Sequence, residues 1–424
     1  MVSKIVTCKF QIDTRLLQKN DTHRIMSICP PKRTKNMKDF EAFYEQGTIL
    51  TNAKIILEDK VVQGSLVIKD GKISEISDGG TSTKNIIDCN GDYLGPGLVE
   101  LHTDNLERHL QPRPGAVWPR KAAILSHDAE LASVGITTVF NALRVGSVIS
   151  KKASNYKKYA RSVADDILQM NASNLLRVSH FLHLRAEVCS ETLLEEMSEF
   201  SLEDRIGIVS IMDHTPGQRQ FRNITKMKEY LVGKYNMTRA EMDAYIDHLY
   251  GLREQFGASH EDGAERIGKK LGATLASHDD TTIDDVMRSS GKGIKIAEFP
   301  TTMEAAKACK ENNISVMMGA PNLLRGGSHS GNVAACDLVG DDLLKILSSD
   351  YAPSSLLMAA VKLGLITGNI ARGLKTATLA PARAANLDDR GEIAVGKRAD
   401  LIRFGLTDEL PRINGVWRLG HRIG

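Results

Sequence analysis

The sequence predicts an α/β fold in which a (β/α)8 barrel is flanked by a small β-sandwich made from both ends of the chain. Two observations support this prediction. Short apolar runs alternate with helical patterns through the middle of the chain, which is typical of parallel βα units. β-Branched segments broken by turn residues occur near both ends. Eight strands with helices between them fit a closed barrel better than an open sheet.

The composition excludes several classes of protein. The chain has 424 residues, of which 42% are hydrophobic and 25% charged, as in ordinary globular proteins. A net charge of +3 gives no argument for a nucleic-acid or membrane partner, and no apolar run reaches membrane-spanning length. The 6 cysteines are widely spaced, and the first residues lack the apolar core of a secretion signal. We therefore expect a cytoplasmic protein with reduced thiols.

The two ends of the chain differ in character from its middle. Residues 1–47 mix Lys and Arg with Pro30-Pro31 and have no periodicity, so we expect a poorly ordered extension. From Thr48 onward, short β-branched runs are interrupted at Asp70-Gly71, which indicates a hairpin. Similar runs return near the C-terminus. The sequence thus predicts a β-sandwich from residues 48–95 and 383–424, and a barrel from residues 96–382.

The barrel prediction depends on eight apolar runs and the helices between them. Val163, Ile167 and Met170 recur at helical spacing between two of the predicted strands. The stretch 224–266 is helical in character and long for a connection, and it could form a lid over the site, although the sequence leaves this open. The predicted strands are GLVELHTD, TTVFNAL, FLHLRAE, GIVSIMDH, ATLASHDD, IKIAEF, SVMMGAPN and KILSSD.

Polar residues collect at the C-terminal ends of these strands, where a barrel carries its active site. In the first strand, alternation places Glu100, His102 and Asp104 on one face. A single histidine at a strand end is usually a structural residue. Several strand ends that carry such residues together predict a shared site. The further members are His183, Arg185, Glu187, His214, His278 and Asp350.

So many imidazoles and carboxylates at the strand ends predict a site for one or two divalent cations. Glu187 is the natural bridge between two ions, and Zn²⁺, Mn²⁺ and Fe²⁺ all suit the donor set. Such a site would activate water for hydrolysis. We expect Asp350, at the end of the last strand, to contact the metal and to accept the proton of the water.

A second group of residues is suited to anions. The segment RGGSHSGN, residues 325–332, offers backbone N–H groups, hydroxyls and a guanidinium, as phosphate-binding turns do. A plain surface turn is the alternative interpretation of this segment. The candidate phosphate-binding residues are Arg113, Arg185, Arg219, Arg325, Ser328, His329 and Asn332.

From about Thr48 to the C-terminus, the sequence resembles the amidohydrolase superfamily. The motifs PGLVELHTDNLE, HLRAE, SIMDHTPGQRQF, ASHDD, MGAPNLLRGGSHSGN and ILSSDYAPSSLL carry the resemblance. They are most similar to members that act in phosphonate catabolism. The resemblance implies a barrel with a flanking β-sandwich, and hydrolysis of a small triphosphorylated ribose phosphonate with release of pyrophosphate. It implies metal-ligand positions at His102, Asp104, Glu187, His214, His278 and Asp350, with zinc as the first expectation.

Two positions depart from the general superfamily pattern. His102-Thr103-Asp104 stands where the superfamily usually has two histidines, and Glu187 stands where many members have a carboxylated lysine. Both replacements can bind metal, but they leave a single-metal site as an alternative. We expect neither a nucleic-acid nor a membrane partner, and a homo-oligomer is possible.

Two other functions stay open from the sequence. The same metal site could support another amidohydrolase reaction, such as deacetylation or opening of a cyclic amide. A barrel that serves as a non-catalytic scaffold is the second alternative. Such barrels typically lose ligand residues, whereas every position of the ligand set is present here.

Overall fold

A computed structural model describes residues 47–78, 86–113, 115–148, 158–217, 219, 238–328 and 331–424. These residues belong to one compact unit that spans Phe43–Gly424. The predicted N-terminal extension therefore lies almost wholly outside the described residues, and its character stays a prediction. None of the described helices is both long and apolar enough to cross a membrane.

All eight predicted barrel strands are present, and they form one parallel sheet in chain order from β6 to β13. The first strand is buried along its whole length, as expected of a parallel strand covered on both faces. The strands are β6 (Leu98–Thr103), β7 (Ile136–Val145), β8 (Ser179–Glu187), β9 (Ile206–Met212), β10 (Thr274–His278), β11 (Ile296–Glu298), β12 (Ser315–Gly319) and β13 (Leu344–Ser348).

Contacts between the first and last strands nearly close the barrel. Thr103 and Asp350 form a parallel bridge, and the Thr103 hydroxyl donates to the Asp350 carbonyl oxygen at 2.6 Å. Glu100 is fully buried and accepts hydrogen bonds from the Ser348 hydroxyl at 2.7 Å and the Ser349 N–H at 2.6 Å. This carboxylate therefore joins β6 to the segment that follows β13.

A second eight-stranded sheet flanks the barrel, and strands from both ends of the chain build it in the order β16-β15-β14-β5-β1-β2-β3. β4 pairs with β1 beside this path. Asp70 and Gly71 have φ angles of 50° and 73° and connect β2 to β3, which confirms the predicted hairpin. The strands are β1 (Thr48–Ile56), β2 (Val61–Lys69), β3 (Lys72–Ser77), β4 (Ile86–Asp88), β5 (Tyr93–Pro96), β14 (Leu401–Thr407), β15 (Leu410–Arg418) and β16 (His421–Arg422).

The flanking sheet shares its apolar residues between two cores. Leu401 packs with Leu50 and Trp417 within the sheet, whereas the next residue, Ile402, packs with Leu98 of the barrel. Alternation along β14 therefore gives the sheet one face for its own core and one face for the barrel. The predicted combination of barrel and flanking β structure is confirmed. The domain boundaries at residues 95–96 and 382–383 stay a prediction.

Helices connect the barrel strands. Val163, Ile167 and Met170 are buried on one of them, as their spacing predicted. The helices are α1 (Asn105–Leu110), α2 (Arg120–Ser133), α3 (Ala160–Ala172), α4 (Leu193–Met197), α5 (Arg239–Lys270), α6 (Ile283–Gly291), α7 (Met303–Glu311), α8 (Ala320–Arg325), α9 (Asp337–Gly340), α10 (Ser355–Ile366), α11 (Ile370–Lys375) and α12 (Leu379–Ala384), with a 3-10 turn at Leu202–Asp204.

Helix α5 contains most of the segment that could form a lid. It has 32 residues and begins with a capping box formed by Thr238 and Glu241. Its first half packs on Val148 and Cys189, which follow the C-terminal ends of β7 and β8. Its second half packs on β9 and β10 in the manner of an ordinary barrel helix. Since residues 224–237 lie outside the described ranges, closure over the site stays a prediction.

Candidate metal centre

Four histidines, on or shortly after four of the barrel strands, meet at the carboxyl end of the barrel. The ring centroid of His102 lies 5.0 Å from that of His183 and 5.6 Å from that of His278. His214 and His278 are also 5.6 Å apart. The rings of His102 and His278 both contact Phe299, which has a left-handed φ of 56° at the end of β11. The prediction that separate strand ends form one site agrees with this arrangement.

The first donor group consists of His102, His183 and Glu298. All three side chains are buried, and their candidate ligand atoms lie within 4.8 Å of one another. His183 Nδ1 lies 2.9 Å from the Leu101 carbonyl oxygen, so this nitrogen carries the proton and Nε2 is left with its lone pair. Ser210 donates to Glu298 Oε2 at 2.6 Å.

The donor atoms of this first group fit a cation. His102 Nδ1, His183 Nε2 and Glu298 Oε1 are buried and have no hydrogen-bond partner among the described residues. His102 Nδ1 lies 3.1 Å from Glu298 Oε2, and His183 Nε2 lies 3.5 Å from Glu298 Oε1, but neither pair is aligned as a hydrogen bond. Burial holds the pKa of His102 well below its usual value, and burial also lowers the pKa of His183 to about 4. Both imidazoles are therefore neutral at physiological pH, as metal ligands must be.

The second donor group consists of His214, His278 and Asp279, again with ligand atoms within 4.8 Å of one another. Asp279 Oδ2 lies 2.6 Å from His278 Nδ1 and 3.9 Å from His214 Nε2. Glu187 Oε2 lies 2.5 Å from His214 Nδ1, and Glu187 also accepts from the His214 N–H at 3.2 Å. The predicted ligand Glu187 therefore reaches this group through His214.

Asp350 lies beside these groups, after the last strand. Its φ of 56° is a left-handed conformation, which is costly for a residue other than glycine. Burial, together with the nearby carboxylate of Asp104, raises the pKa of Asp350 to about 7. A carboxyl group with such a pKa can both accept and release a proton near neutral pH.

Asp104 occupies a more open position than the other predicted ligands. Its side chain is 33% exposed, and its Oδ2 atom lies 3.7 Å from Nη1 of Arg185. Arg185 is itself largely buried, and its charge contributes to lowering the pKa of His102. The structure thus places Arg185 next to the donor groups, as its assignment to the anion site requires. Its role in binding, like the ligand role of Asp104, stays a prediction.

Three of these donors, His183, Asp279 and Glu298, lie outside the ligand set predicted from the sequence. His183 is on the site-facing side of its strand, and Asp279 directly follows the predicted ligand His278. Glu298 is the last residue but one of the run IKIAEF and the last residue of β11, and this position at a strand end is the only sequence signal that identifies it. These residues are ordinary in sequence, and only the closed barrel brings them to the predicted ligands.

The candidate phosphate-binding residues are spread over several surroundings. Arg113 and Arg325 are exposed, at the loop after α1 and at the end of α8, and Asn332 and Ser328 are partly buried. Arg219 donates to the His278 carbonyl oxygen at 2.6 Å and to Asp280 at 3.0 Å, so its guanidinium already has hydrogen-bond partners within the protein. His329 lies outside the described residues. The shared role of these residues stays a prediction.

Asn322 holds the loop that contains RGGSHSGN. The Gly327 N–H donates to its carbonyl oxygen at 3.0 Å, and the Ala335 N–H donates to its side-chain oxygen at 2.9 Å. The Asn322 side-chain amide donates to the Val333 carbonyl oxygen at 3.2 Å. Gly326 adopts a φ of 76°, which glycine tolerates without strain. The loop is therefore fixed at both of its ends, which is a property of binding loops as well as of tight turns.

Comparison with known proteins identifies the family of this chain. The sequence model of the amidohydrolase family matches residues 135–422. The α-D-ribose 1-methylphosphonate 5-triphosphate diphosphatase of Escherichia coli strain K12 is 41% identical over 378 residues, which cover 88% of this chain and 100% of that protein. An adenine deaminase of Ligilactobacillus salivarius strain UCC118 is 22% identical over 88% of this chain and 57% of the deaminase.

Solved structures share the fold at low sequence identity. The N-acetyl-D-glucosamine-6-phosphate deacetylase of Mycobacterium smegmatis aligns with a TM-score of 0.58 at 14% identity, covering 89% of this chain and 100% of that one. The N-isopropylammelide isopropylaminohydrolase of Burkholderia multivorans aligns with a TM-score of 0.59, also at 14% identity, over 89% of this chain and 97% of that one. Together with the family match and the closer relative, these findings identify the chain as a hydrolase that belongs to the amidohydrolase family.

Proposed function

We propose that this chain hydrolyses α-D-ribose 1-methylphosphonate 5-triphosphate to the 5-phosphate and pyrophosphate, during the use of phosphonates. The observation that supports this assignment most is the 41% identity to the Escherichia coli diphosphatase over the whole length of that protein. The donor groups at the carboxyl end of the barrel also support the proposal, because they offer ligands for a cation that could activate water.

The reaction depends on one or two divalent cations held by these donor groups. The residues expected to hold them are His102, Asp104, Glu187, His214, His278 and Asp350, together with His183, Asp279 and Glu298 from the structure. A cation at such a site activates water and polarises a phosphoryl oxygen. We propose Zn²⁺ as the metal, and Mn²⁺ and Fe²⁺ suit the same nitrogen and oxygen donors.

The chain's own residues perform the remaining tasks. Asp350 accepts the proton of the attacking water, as a carboxylate beside the cation site can do. Arg185 offers positive charge beside the donor groups, where the transferred phosphoryl group would lie. Arg325 and the fixed loop after α8 would bind the leaving pyrophosphate through guanidinium and backbone N–H groups.

The cellular setting is also part of the proposal. Cys89, Cys189, Cys309 and Cys336 are free thiols in the described part of the chain. Such unpaired cysteines are typical of a reducing compartment, so we propose that the reaction takes place in the cytoplasm. A homo-oligomer stays an expectation from the sequence.

The test is pyrophosphate release from α-D-ribose 1-methylphosphonate 5-triphosphate, with ATP as the comparison substrate and metal content measured on the same sample. We expect metal in the protein and much faster release from the phosphonate than from ATP. A folded, metal-loaded protein that releases no pyrophosphate would overturn the substrate assignment. A panel of N-acetyl sugars and cyclic amides would then test the other amidohydrolase reactions.

A further inference from the structure

Four arginines gather at the amino-terminal end of the barrel, away from the metal centre. Arg205 directly precedes β9, and Arg418 ends β15 of the flanking sheet. Arg390 and Arg398 lie in the segment between α12 and β14. Arg398 and Arg418 contact Ser179, the first residue of β8, whose last residue is Glu187 of the metal centre, and Arg205 and Arg390 lie over the ring of Phe181, two residues further along the same strand. At the rise of a β-strand, these two ends of β8 are roughly 26 Å apart.

Two of the guanidiniums converge on one buried hydroxyl. Nη2 of Arg398 donates to the Ser179 Oγ atom at 3.3 Å, and Nη1 of Arg418 donates to the same atom at 3.5 Å. Ser179 is only 5% exposed. Because its oxygen accepts from two cations, its own hydroxyl hydrogen is left to be donated elsewhere. The cluster of arginines around this serine is therefore rich in hydrogen-bond donors and poor in hydrogen-bond acceptors.

Carboxylates balance only part of this charge. Asp389 and Asp400 form ion pairs with Arg390 and Arg398. Neither Arg205 nor Arg418 forms an ion pair with a carboxylate among the described residues. Burial and the neighbouring arginines lower the pKa of both guanidiniums, whereas the carboxylates of Asp400 and Asp128 act in the opposite direction on the pKa of Arg418.

Arg205 is held in place by the backbone and by an aromatic ring. Its φ of 56° is left-handed, and its carbonyl oxygen accepts from the Leu182 N–H at 3.1 Å. Its guanidinium carbon lies 4.3 Å from the centroid of the Phe181 ring, where a cation is attracted to the ring face. The side chain remains exposed. A fixed and exposed guanidinium beside other unbalanced donors is suited to binding an anion from solvent.

We propose that Arg205, Arg418 and Ser179 form a second anion site, which binds a phosphate-type oxyanion between the barrel and the flanking sheet. Guanidiniums recognise such oxygens by paired hydrogen bonds, and a serine hydroxyl adds a further donor. The ligand is either free inorganic phosphate or the phosphoryl group of a small phosphomonoester. This site is separate from the metal centre and does not depend on the proposed reaction.

The competing explanation is that Arg205 only packs against Phe181. The two explanations predict different effects of added phosphate on the thermal midpoint. If Arg205 binds an anion, phosphate raises the midpoint of the wild type more than that of Arg205→Gln. If it only packs on the ring, phosphate shifts both midpoints equally.

The experiment uses calorimetric titration of the metal-loaded protein with inorganic phosphate at constant ionic strength, together with thermal midpoints. We expect at least a tenfold loss of phosphate affinity at this site in Arg205→Gln and Arg418→Gln, with pyrophosphate release unchanged. Arg412→Gln, an exposed arginine on the same strand as Arg418, is the matched control and should bind like the wild type. A parallel titration with ribose 5-phosphate distinguishes free phosphate from a phosphomonoester.

Ser179→Ala provides a test that leaves every charge in place. It removes only the hydroxyl donor, so we expect weaker phosphate binding and an intact fold. Phosphate affinity and stoichiometry that are the same in the wild type and in the Arg205, Arg418 and Ser179 variants would overturn the proposal. A fall in the midpoint of Arg205→Gln without any change in phosphate binding would do so as well, since it would assign the arginine to packing.

Discussion

Glu298 shows how one buried residue can organise a metal centre. Its Oε2 atom accepts from the Ser210 hydroxyl at 2.6 Å and lies 3.1 Å from His102 Nδ1. Its other oxygen faces His183 Nε2 at 3.5 Å. A carboxylate beside a metal-binding histidine fixes the orientation and the tautomer of the ring, even where it does not bind the ion itself. Glu298 therefore fits the site either as a ligand or as the group that orients His102.

Asp350→Asn tests the proposed proton acceptor. The amide cannot take the proton of water, so we expect turnover of the phosphonate substrate to fall by about 10²- to 10⁴-fold. The thermal midpoint should change little, because the Asp350 backbone contact with Thr103 is retained. Steady-state pyrophosphate release, measured beside metal content, checks this outcome. Wild-type turnover in the variant would remove Asp350 from the mechanism.

A second buried network lies outside the metal centre, among β7, β8 and α2. The Asn105 amide lies 3.1 Å from His127 Nδ1 and donates to it, and the Asn141 amide donates to His180 Nδ1 at 3.1 Å. His180 Nε2 then donates to Asp128 at 3.2 Å. These contacts hold the rings of His127 and His180 in defined orientations.

This network predicts a loss of stability in acid. Burial lowers the pKa of His127 to about 3, below the value of 6.5 for an exposed histidine. Between these two values the unfolded chain binds a proton that the folded chain does not, so stability falls as the pH falls below 6.5. The expected slope from this residue is about 1.4 kcal/mol per pH unit. In His127→Gln, urea unfolding between pH 4 and pH 7 should depend less on pH; an unchanged pH dependence would contradict the assignment.

At the scale of elements, the loops after the strands differ in how they are fixed. Helix α5 is tied to the site by Arg253, whose Nε atom lies 2.7 Å from Asp213, one residue before His214. The loop after α8 is tied by Asn322 to residues on both of its sides. Both elements are therefore coupled to the carboxyl end of the barrel, where substrate would bind.

Arg325→Ala tests whether the loop after α8 binds phosphate. Losing a charged contact to pyrophosphate should raise KM or lower kcat/KM by about tenfold, equivalent to about 1.4 kcal/mol. The thermal midpoint should not move, because Arg325 is exposed. Arg412→Ala, an exposed arginine on the flanking sheet, is the control for loss of charge alone. Unchanged kinetics in Arg325→Ala would make this loop a simple surface turn.

At the scale of the whole molecule, the barrel and the flanking sheet stabilise each other. Ile402, Phe404 and Val416 of the sheet belong to the same buried cluster as barrel residues. Helix α12 covers the amino-terminal end of the barrel, where Ala382 packs among the residues of its interior and the Ala384 carbonyl oxygen accepts from Thr274 at 3.1 Å. The metal centre thus lies at one end of the barrel, and the rest of the chain stabilises the barrel at its other end.

Metal removal should affect both activity and stability. A cation that binds only the folded chain stabilises it by about 4 kcal/mol when present at a thousand times its dissociation constant. We therefore expect a chelator to lower the thermal midpoint and to abolish pyrophosphate release, and readdition of Zn²⁺ to restore both. Midpoint and activity that survive complete removal of metal, checked by elemental analysis, would contradict a metal-dependent reaction.

The sequence by itself determined the order and type of the elements. The eight barrel strands were predictable because each has a short apolar run, and the hairpin because Asp70-Gly71 matches one turn geometry. The histidines at the strand ends were predictable because parallel strands direct their carboxyl ends to one face. These features are local, since they depend on neighbouring residues and on the period of the backbone.

Only the tertiary structure decided which strand ends face each other. The contact of His102 with Glu298 requires β6 and β11 to meet across the top of the barrel, and no local pattern encodes that distance. The same holds for Arg205 and Arg418, which come from the barrel and the flanking sheet and meet only after folding. The physical reason is that closure and packing join residues far apart in sequence, whereas periodicity and turn chemistry act only between neighbours.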